Sequence, residues 1–255
     1  MPWNKELFDT LSVREQFRDN YWHTKDPILA ERLLWRINVF RHLVHLLPHE
    51  SILEFGSGDG LFTEVINTAT HGRNQLTSAT FSEDSGKTRS VPAGVERVNL
   101  RSSPEALQGR TFNFIIVMDL LDGRTAGETL SLIYDLLAPG GQVVFSESNP
   151  WNLMLRFRRL LSRLIKRRDP RTLMSRSSLY ELLSEIGFIR IFAVFVDFMY
   201  APLTKGLINR LQGISVILEN FPIIRTYAGA ILIHAQKTNR ARPIKPRLAM
   251  ILAKG

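Results

Sequence analysis

Ser51-Ile52-Leu53-Glu54-Phe55 runs without a break into Gly56-Ser57-Gly58-Asp59-Gly60, and Leu61 to Thr68 continues with helical spacing. An apolar run, a glycine cluster and an amphipathic stretch in that order read as buried strand, tight turn and helix. Glycines let the backbone turn sharply and approach a ligand closely, and the first turn of the helix that follows offers unpaired N–H donors. The turn therefore suits a bound small molecule. Two phosphate-binding patterns fail here. Counting from Gly56, the third glycine of G-x-G-x-x-G would fall at Leu61, and no G-K-S/T follows.

Outward from this turn, strands and helices alternate. Gln75–Phe81 and Val95–Leu100 read as strands, and Thr111–Met118 is a continuous apolar run of the kind buried on both faces of a parallel sheet. Gly127–Leu137 reads as a helix stopped by Pro139-Gly140-Gly141, with a strand at Gln142–Glu147. After residue 150 come a basic amphipathic helix over 151–168, a helix at Ser177–Ile186 and a strand at Ile189–Phe198. A helix at Leu203–Glu219, a strand at Ala228–Gln236 and a basic tail complete the chain. Before the turn, residues 4–20 and 27–47 read as helices, the second started by Asp26-Pro27 and stopped by Pro48. Alternating strands and helices imply βαβ units and a mostly parallel sheet.

Composition narrows the function classes. The 255 residues contain no cysteine, which excludes a disulfide scaffold, a zinc–thiolate site and a thiol nucleophile and fits a reducing compartment. With 44% hydrophobic residues the chain can bury a real core, and no stretch approaches the roughly 18 apolar residues of a membrane span. The charged N-terminal stretch lacks the apolar core of a signal peptide, so a soluble, cytoplasmic protein is expected. Net charge is +9, but 151–171 carries +7 and 238–255 carries +5, leaving the rest at −3. Two sticky segments on a mildly acidic body differ from the spread basic face of a general nucleic-acid binder.

The E-x-G-x-G-x-G arrangement of Glu54, Gly56, Gly58 and Gly60 resembles the first motif of the class I S-adenosylmethionine-dependent methyltransferases. Phe112–Leu121 resembles that family's fourth strand, Leu136–Phe145 its next helix, turn and fifth strand, and Tyr180–Phe188 the helix entering the sixth. The resemblance implies a Rossmann-like three-layer α/β sandwich with a mostly parallel seven-stranded sheet. Residues 1–48 would form an N-terminal helical lid, 49–237 the methyltransferase domain with an insertion at 151–171, and 238–255 a basic tail. It implies S-adenosylmethionine as cofactor, with its methionine part held by Glu54, Gly56, Ser57, Gly58 and Gly60. Thr80, Phe81, Ser103, Asp119 and Leu120 fall at the remaining cofactor positions. Two of these depart from the family. Its second strand usually ends in an acid that grips the ribose hydroxyls, where this chain has Thr80, with Glu83 and Asp84 as substitutes if the loop curls back. Ser103 stands where an acid often meets the adenine. A tight turn without a ligand, or a non-catalytic methyltransferase-like scaffold, stays open as an alternative.

Methyl transfer from a sulfonium is an in-line displacement, and a base is needed only where the acceptor arrives protonated. Glu147 at the end of the fifth strand and His23 beside Tyr21-Trp22 are the catalytic candidates. His42, His45 and His49 share a helical face, but no acid at matching spacing completes a metal set, and no metal is expected.

On a helical projection of 151–168, Leu153, Met154, Phe157, Leu160, Leu161, Leu164 and Ile165 cover one side and Arg156, Arg158, Arg159, Arg163, Lys166 and Arg167 the other. That pattern suits an interfacial helix on an anionic membrane, or equally a cap whose apolar face meets the core. The apolar stretch over 192–218 suits a small apolar or lipid-linked acceptor, methylated at oxygen before nitrogen or carbon. The alternative substrate class is RNA, although Asp119-Leu120-Leu121-Asp122 lacks the Pro-Pro-aromatic signature of base methylation and nucleic acid is not the expected partner. The expected location is cytoplasmic, peripheral at the inner membrane face. The acceptor's identity and the oligomeric state stay open.

Overall fold

The computed structural model describes residues 4–22, 33, 36, 47–82, 90–152, 155, 156, 172–198, 214, 217, 218 and 220–239. Most of the expected helices over 27–47, 151–168 and 203–219, the tail from residue 240, and His23, His42, His45, Glu83 and Asp84 lie outside these residues.

Seven strands form one sheet: β1 (Ser51–Phe55), β2 (Gln75–Thr80), β3 (Glu96–Asn99), β4 (Phe112–Met118), β5 (Leu137–Ser148), β6 (Phe188–Val196) and β7 (Ala230–Lys237). Their order is β3-β2-β1-β4-β5-β7-β6. The first five are mutually parallel, and β7 runs antiparallel to both β5 and β6. Among the described helices, α1 spans Lys5–Trp22, α2 Leu61–Ala69, α3 Ala126–Leu136 and α4 Arg176–Ile186. The Rossmann-like α/β architecture expected from the sequence is the one observed.

Local rules account for the elements. All of β4 but Asn113 is buried, as its uninterrupted apolar run requires when both faces are covered. Ser175 caps α4 by accepting the Ser178 N–H, and Gly187 ends that helix at φ 109°. One expectation fails at β5. Pro139-Gly140-Gly141 does not separate helix from strand, because β5 already begins at Leu137, which pairs with Phe112. Pairing resumes at Phe114–Gln142 after an irregularity, and a Cβ on Gly141 would lie 2.8 Å from Ala138 O and 3.0 Å from Phe112 O. The glycine lets two backbones close rather than ending an element.

The sheet divides the core in two. Phe55, Ile115, Val117 and Phe145 meet Leu130 and Ile133 of α3 and Leu179 and Leu183 of α4 in one layer. Ile52, Phe114, Ile116 and Val144 meet Phe62 and Ile66 of α2 in the other. Helix α1 belongs to both: Leu7, Phe8 and Leu11 sit in the first layer and Trp22 in the second. It is a bar crossing the carboxyl ends of the strands, where ligands of open α/β sheets gather.

Candidate cofactor site

The turn between β1 and α2 takes the shape its glycines predict. Gly56, Gly58 and Gly60 have φ of 84°, 56° and 90°, values that side-chain-bearing residues rarely adopt. The Gly56 and Ser57 N–H groups donate to Ala79 O at 2.9 and 2.8 Å, tying the turn to β2. A Cβ on Gly56 would lie 2.5 Å from Leu120, so this glycine is also fixed by close packing against the loop after β4.

Glu54, one residue before the end of β1, is buried and accepts from the Thr63 hydroxyl of α2 through Oε2. Burial pushes its pKa from 4.5 up to about 7, against the opposing pull of the Thr63 hydrogen bond and the Arg18 charge. Its Oε1 and the Ser57 hydroxyl are buried with no hydrogen-bond partner among the described residues. Two unsatisfied polar atoms beside a glycine turn fit a ligand carrying donors and acceptors of its own. S-adenosylmethionine fits that description, and in the role that the family resemblance implies, Glu54, Ser57 and the Gly56–Gly60 backbone would hold its amino-acid end. The cofactor supplies an electrophilic methyl group; the chain supplies position and alignment.

The side chains filling the rest of the site come from α1. Glu15 Oε1 accepts from Gly58 N at 3.1 Å, and its Oε2 accepts from Thr80 Oγ1, Phe81 N and Ser82 Oγ at 3.0, 2.9 and 2.8 Å. Arg18 donates to Gly56 O and, at 3.2 Å, to Met118 O, and it pairs with Asp19 at 2.7 Å. Asp19 Oδ2 accepts the Asp59 N–H at 3.0 Å. Burial raises the pKa of both Glu15 and Asp19, with the Arg18 charge pulling the other way. None of these three residues was among those singled out from the sequence. The signal was present: Leu7, Leu11, Arg14, Glu15, Arg18 and Trp22 form one helical row, so the apolar stripe of α1 continues as charge.

The other predicted positions divide. Asp119 lies at the end of β4 with φ 47°, its carboxylate accepting from Ser148 Oγ at 2.9 Å and Arg36 at 3.1 Å. Arg36 also pairs with the buried Asp197 at 3.1 Å, joining the ends of β4 and β6. Glu147 is buried, and its Oε1 accepts the N–H groups of Leu120 and Leu121 at 3.0 Å each. It shapes the loop that carries Leu120. Ser103 starts a short turn beyond β3, its N–H donating to Asn99 O at 3.0 Å, while Asn99 reaches Ser82 O at 3.1 Å. His49 is exposed in the loop before β1.

Comparison with known proteins decides the family. Residues 30–189 match the family described as a methyltransferase domain. The chain belongs to that methyltransferase family. It is a transferase of the S-adenosylmethionine-dependent class, as the glycine turn implied. Solved structures agree in fold. A SAM-dependent methyltransferase from Thermotoga maritima superposes with a TM-score of 0.61 at 16% identity, covering 90% of this chain and 100% of that one. One from Archaeoglobus fulgidus gives 0.54 at 18% identity, covering 81% and 94%. The phosphoethanolamine N-methyltransferase 2 of Haemonchus contortus, solved with S-adenosyl-L-methionine, gives 0.50 at 16% identity over 79% and 52%. No curated protein matches the chain in sequence.

Proposed function

We propose that this methyltransferase transfers the methyl group to an oxygen of a small apolar or lipid-linked acceptor, working at the inner face of an anionic membrane. The observation that supports this reading is an apolar surface at the site's end of the sheet. Phe221 and Ile223 are 53% and 77% exposed, and Ile224 and Trp151 are exposed beside them in sequence and fold. Asn149 and Asn152 donate to Thr226 O, Ala228 O and Tyr227 O at 2.8 to 3.0 Å, holding the Trp151 segment against this turn. Because β5 and β7 pair Ser148 with Ala230, the turn lies at the same end of the sheet as the glycine loop. Arg156 stacks on the Trp151 ring at 4.9 Å, an aromatic–cation pair suited to the headgroup boundary. The basic run through Arg168 supplies the charge that anionic lipid attracts. No helix among the described residues is long and apolar enough to cross a membrane.

The test is transfer of labelled methyl from S-adenosylmethionine into a lipid extract, alongside sedimentation with anionic vesicles. Label in an apolar product and vesicle retention that R158E/R159E/R163E abolishes are the expected results. Equal retention of the charge-reversed variant sinks the membrane part. Label appearing only in RNA, with binding that falls steeply with salt, favours the nucleic-acid alternative.

A further inference from the structure

Helix α1 lies where the cofactor has to lie, and it fills that place with matching chemistry. The glycine turn and the end of β4 each present a carbonyl, and the Arg18 guanidinium takes both, Gly56 O and Met118 O. The cofactor's own cationic ammonium would seek the same acceptors. The turn and the end of β2 present donors, and the Glu15 carboxylate gathers four: Gly58 N, Thr80 Oγ1, Phe81 N and Ser82 Oγ. With three donors on Oε2 and one on Oε1, most of the Glu15 acceptor capacity is taken up by the chain itself. The Glu15 side chain is fully buried. The close-approach surface of the turn is also taken, because a Cβ on Gly58 would lie 2.1 Å from Asp19 Oδ2 and 2.5 Å from Arg18 Nη2.

We propose that α1 is a displaceable plug, in which Arg18, Asp19 and Glu15 occupy the S-adenosylmethionine cleft of their own chain and must withdraw before the cofactor enters. This rests on the cofactor assignment above. It explains the departure at Thr80. An acid at that position would set one carboxylate against another in a buried space, whereas the threonine hydroxyl donates to Glu15 at 3.0 Å. The end of β2 is therefore matched to the helix. Apparent cofactor affinity falls by the fraction of molecules in which the plug is out.

The experiment measures S-adenosylhomocysteine binding by calorimetry and hydrogen exchange across residues 5–22, with full-length wild type and Leu11→Ala. Leu11 anchors α1 in the core and is not one of the charged residues that fill the cleft, so its truncation loosens the helix and keeps those residues in place. A plug predicts that α1 amides lose protection when S-adenosylhomocysteine binds and that Leu11→Ala binds at least tenfold more tightly. Gained protection in α1, or equal or weaker binding by Leu11→Ala, overturns the plug and makes α1 a lid that closes over the cofactor. Should Leu11→Ala fail to fold, the sign of the wild-type exchange change decides alone. Absence of binding by either protein at millimolar ligand overturns the cofactor assignment, and the plug with it.

Discussion

The Leu120 N–H points at the Glu147 carboxylate at 3.0 Å, so the fifth strand fixes the loop that closes against the glycine turn. Leu120 in turn packs where a Cβ on Gly56 would stand. Strand β5 thereby reaches the site through the backbone of another strand's loop. Glu147→Ala leaves the N–H groups of Leu120 and Leu121 without this acceptor and should cost about 2–4 kcal/mol in chemical denaturation. Glu147→Gln keeps an acceptor and should cost less. A positioning role also predicts that Glu147→Gln leaves the pH profile of kcat/KM unshifted; loss of its acidic limb would instead make Glu147 the base.

Gly58 is strained by its backbone conformation if it carries a side chain. Its φ of 56° costs an alanine about 1 kcal/mol or more, and the added Cβ meets Asp19 and Arg18. Gly58→Val should lose S-adenosylhomocysteine binding in calorimetry altogether. Retained binding would show that the turn is not the cofactor's seat.

Stability should depend on pH through Glu54. Its carboxyl is raised from 4.5 to about 7 in the folded chain, so between those values the folded state holds a proton that the unfolded state has released. The stabilisation is complete below pH 4.5 and is lost as pH rises through about 7, to the extent of about 3 kcal/mol. Thermal melts should therefore fall between pH 5 and 7.5, and Glu54→Gln should flatten that slope. Glu15 and Asp19 are shifted the same way and add to it. A wild-type melting temperature that rises over this interval would contradict the assignment.

Arg36 holds Asp119 and Asp197 together inside the protein, at 3.1 Å from each. Removing one acid from a buried ion cluster strands charge, so Asp197→Ala should destabilise by about 3 kcal/mol in urea titration. Because Arg36 also bonds Asp119, the change should propagate to the cofactor end and weaken S-adenosylhomocysteine binding. An unchanged dissociation constant would confine Arg36 to a structural role.

The strands nearest the glycine turn were legible because their signals are local. β1 matches its expected bounds, and β4 declared itself by an apolar run that nothing but double-sided burial explains. The start of β5 was not legible, since whether Pro139-Gly140-Gly141 ends a helix or carries a strand depends on Phe112 across the sheet. The charged residues of α1 were missed for a similar reason. Glu15 and Arg18 look like the solvated face of an ordinary helix until the carboxyl ends of β2 and β4 beneath them supply their partners. Thr80 appeared as a loss, and its meaning lay 65 residues away in Glu15.

Strand β7 sits between β5 and β6 although it follows both in the chain. During synthesis β5 is complete at Ser148, yet its outer partner is not finished until Lys237. At about 5–20 residues per second those roughly 90 residues take on the order of 5–18 s. Throughout that interval Val143, Val144 and Phe145 form an open apolar edge, the kind that recruits strands from other chains. An edge of this kind predicts that slowing translation after residue 148 raises aggregation without altering the finished fold.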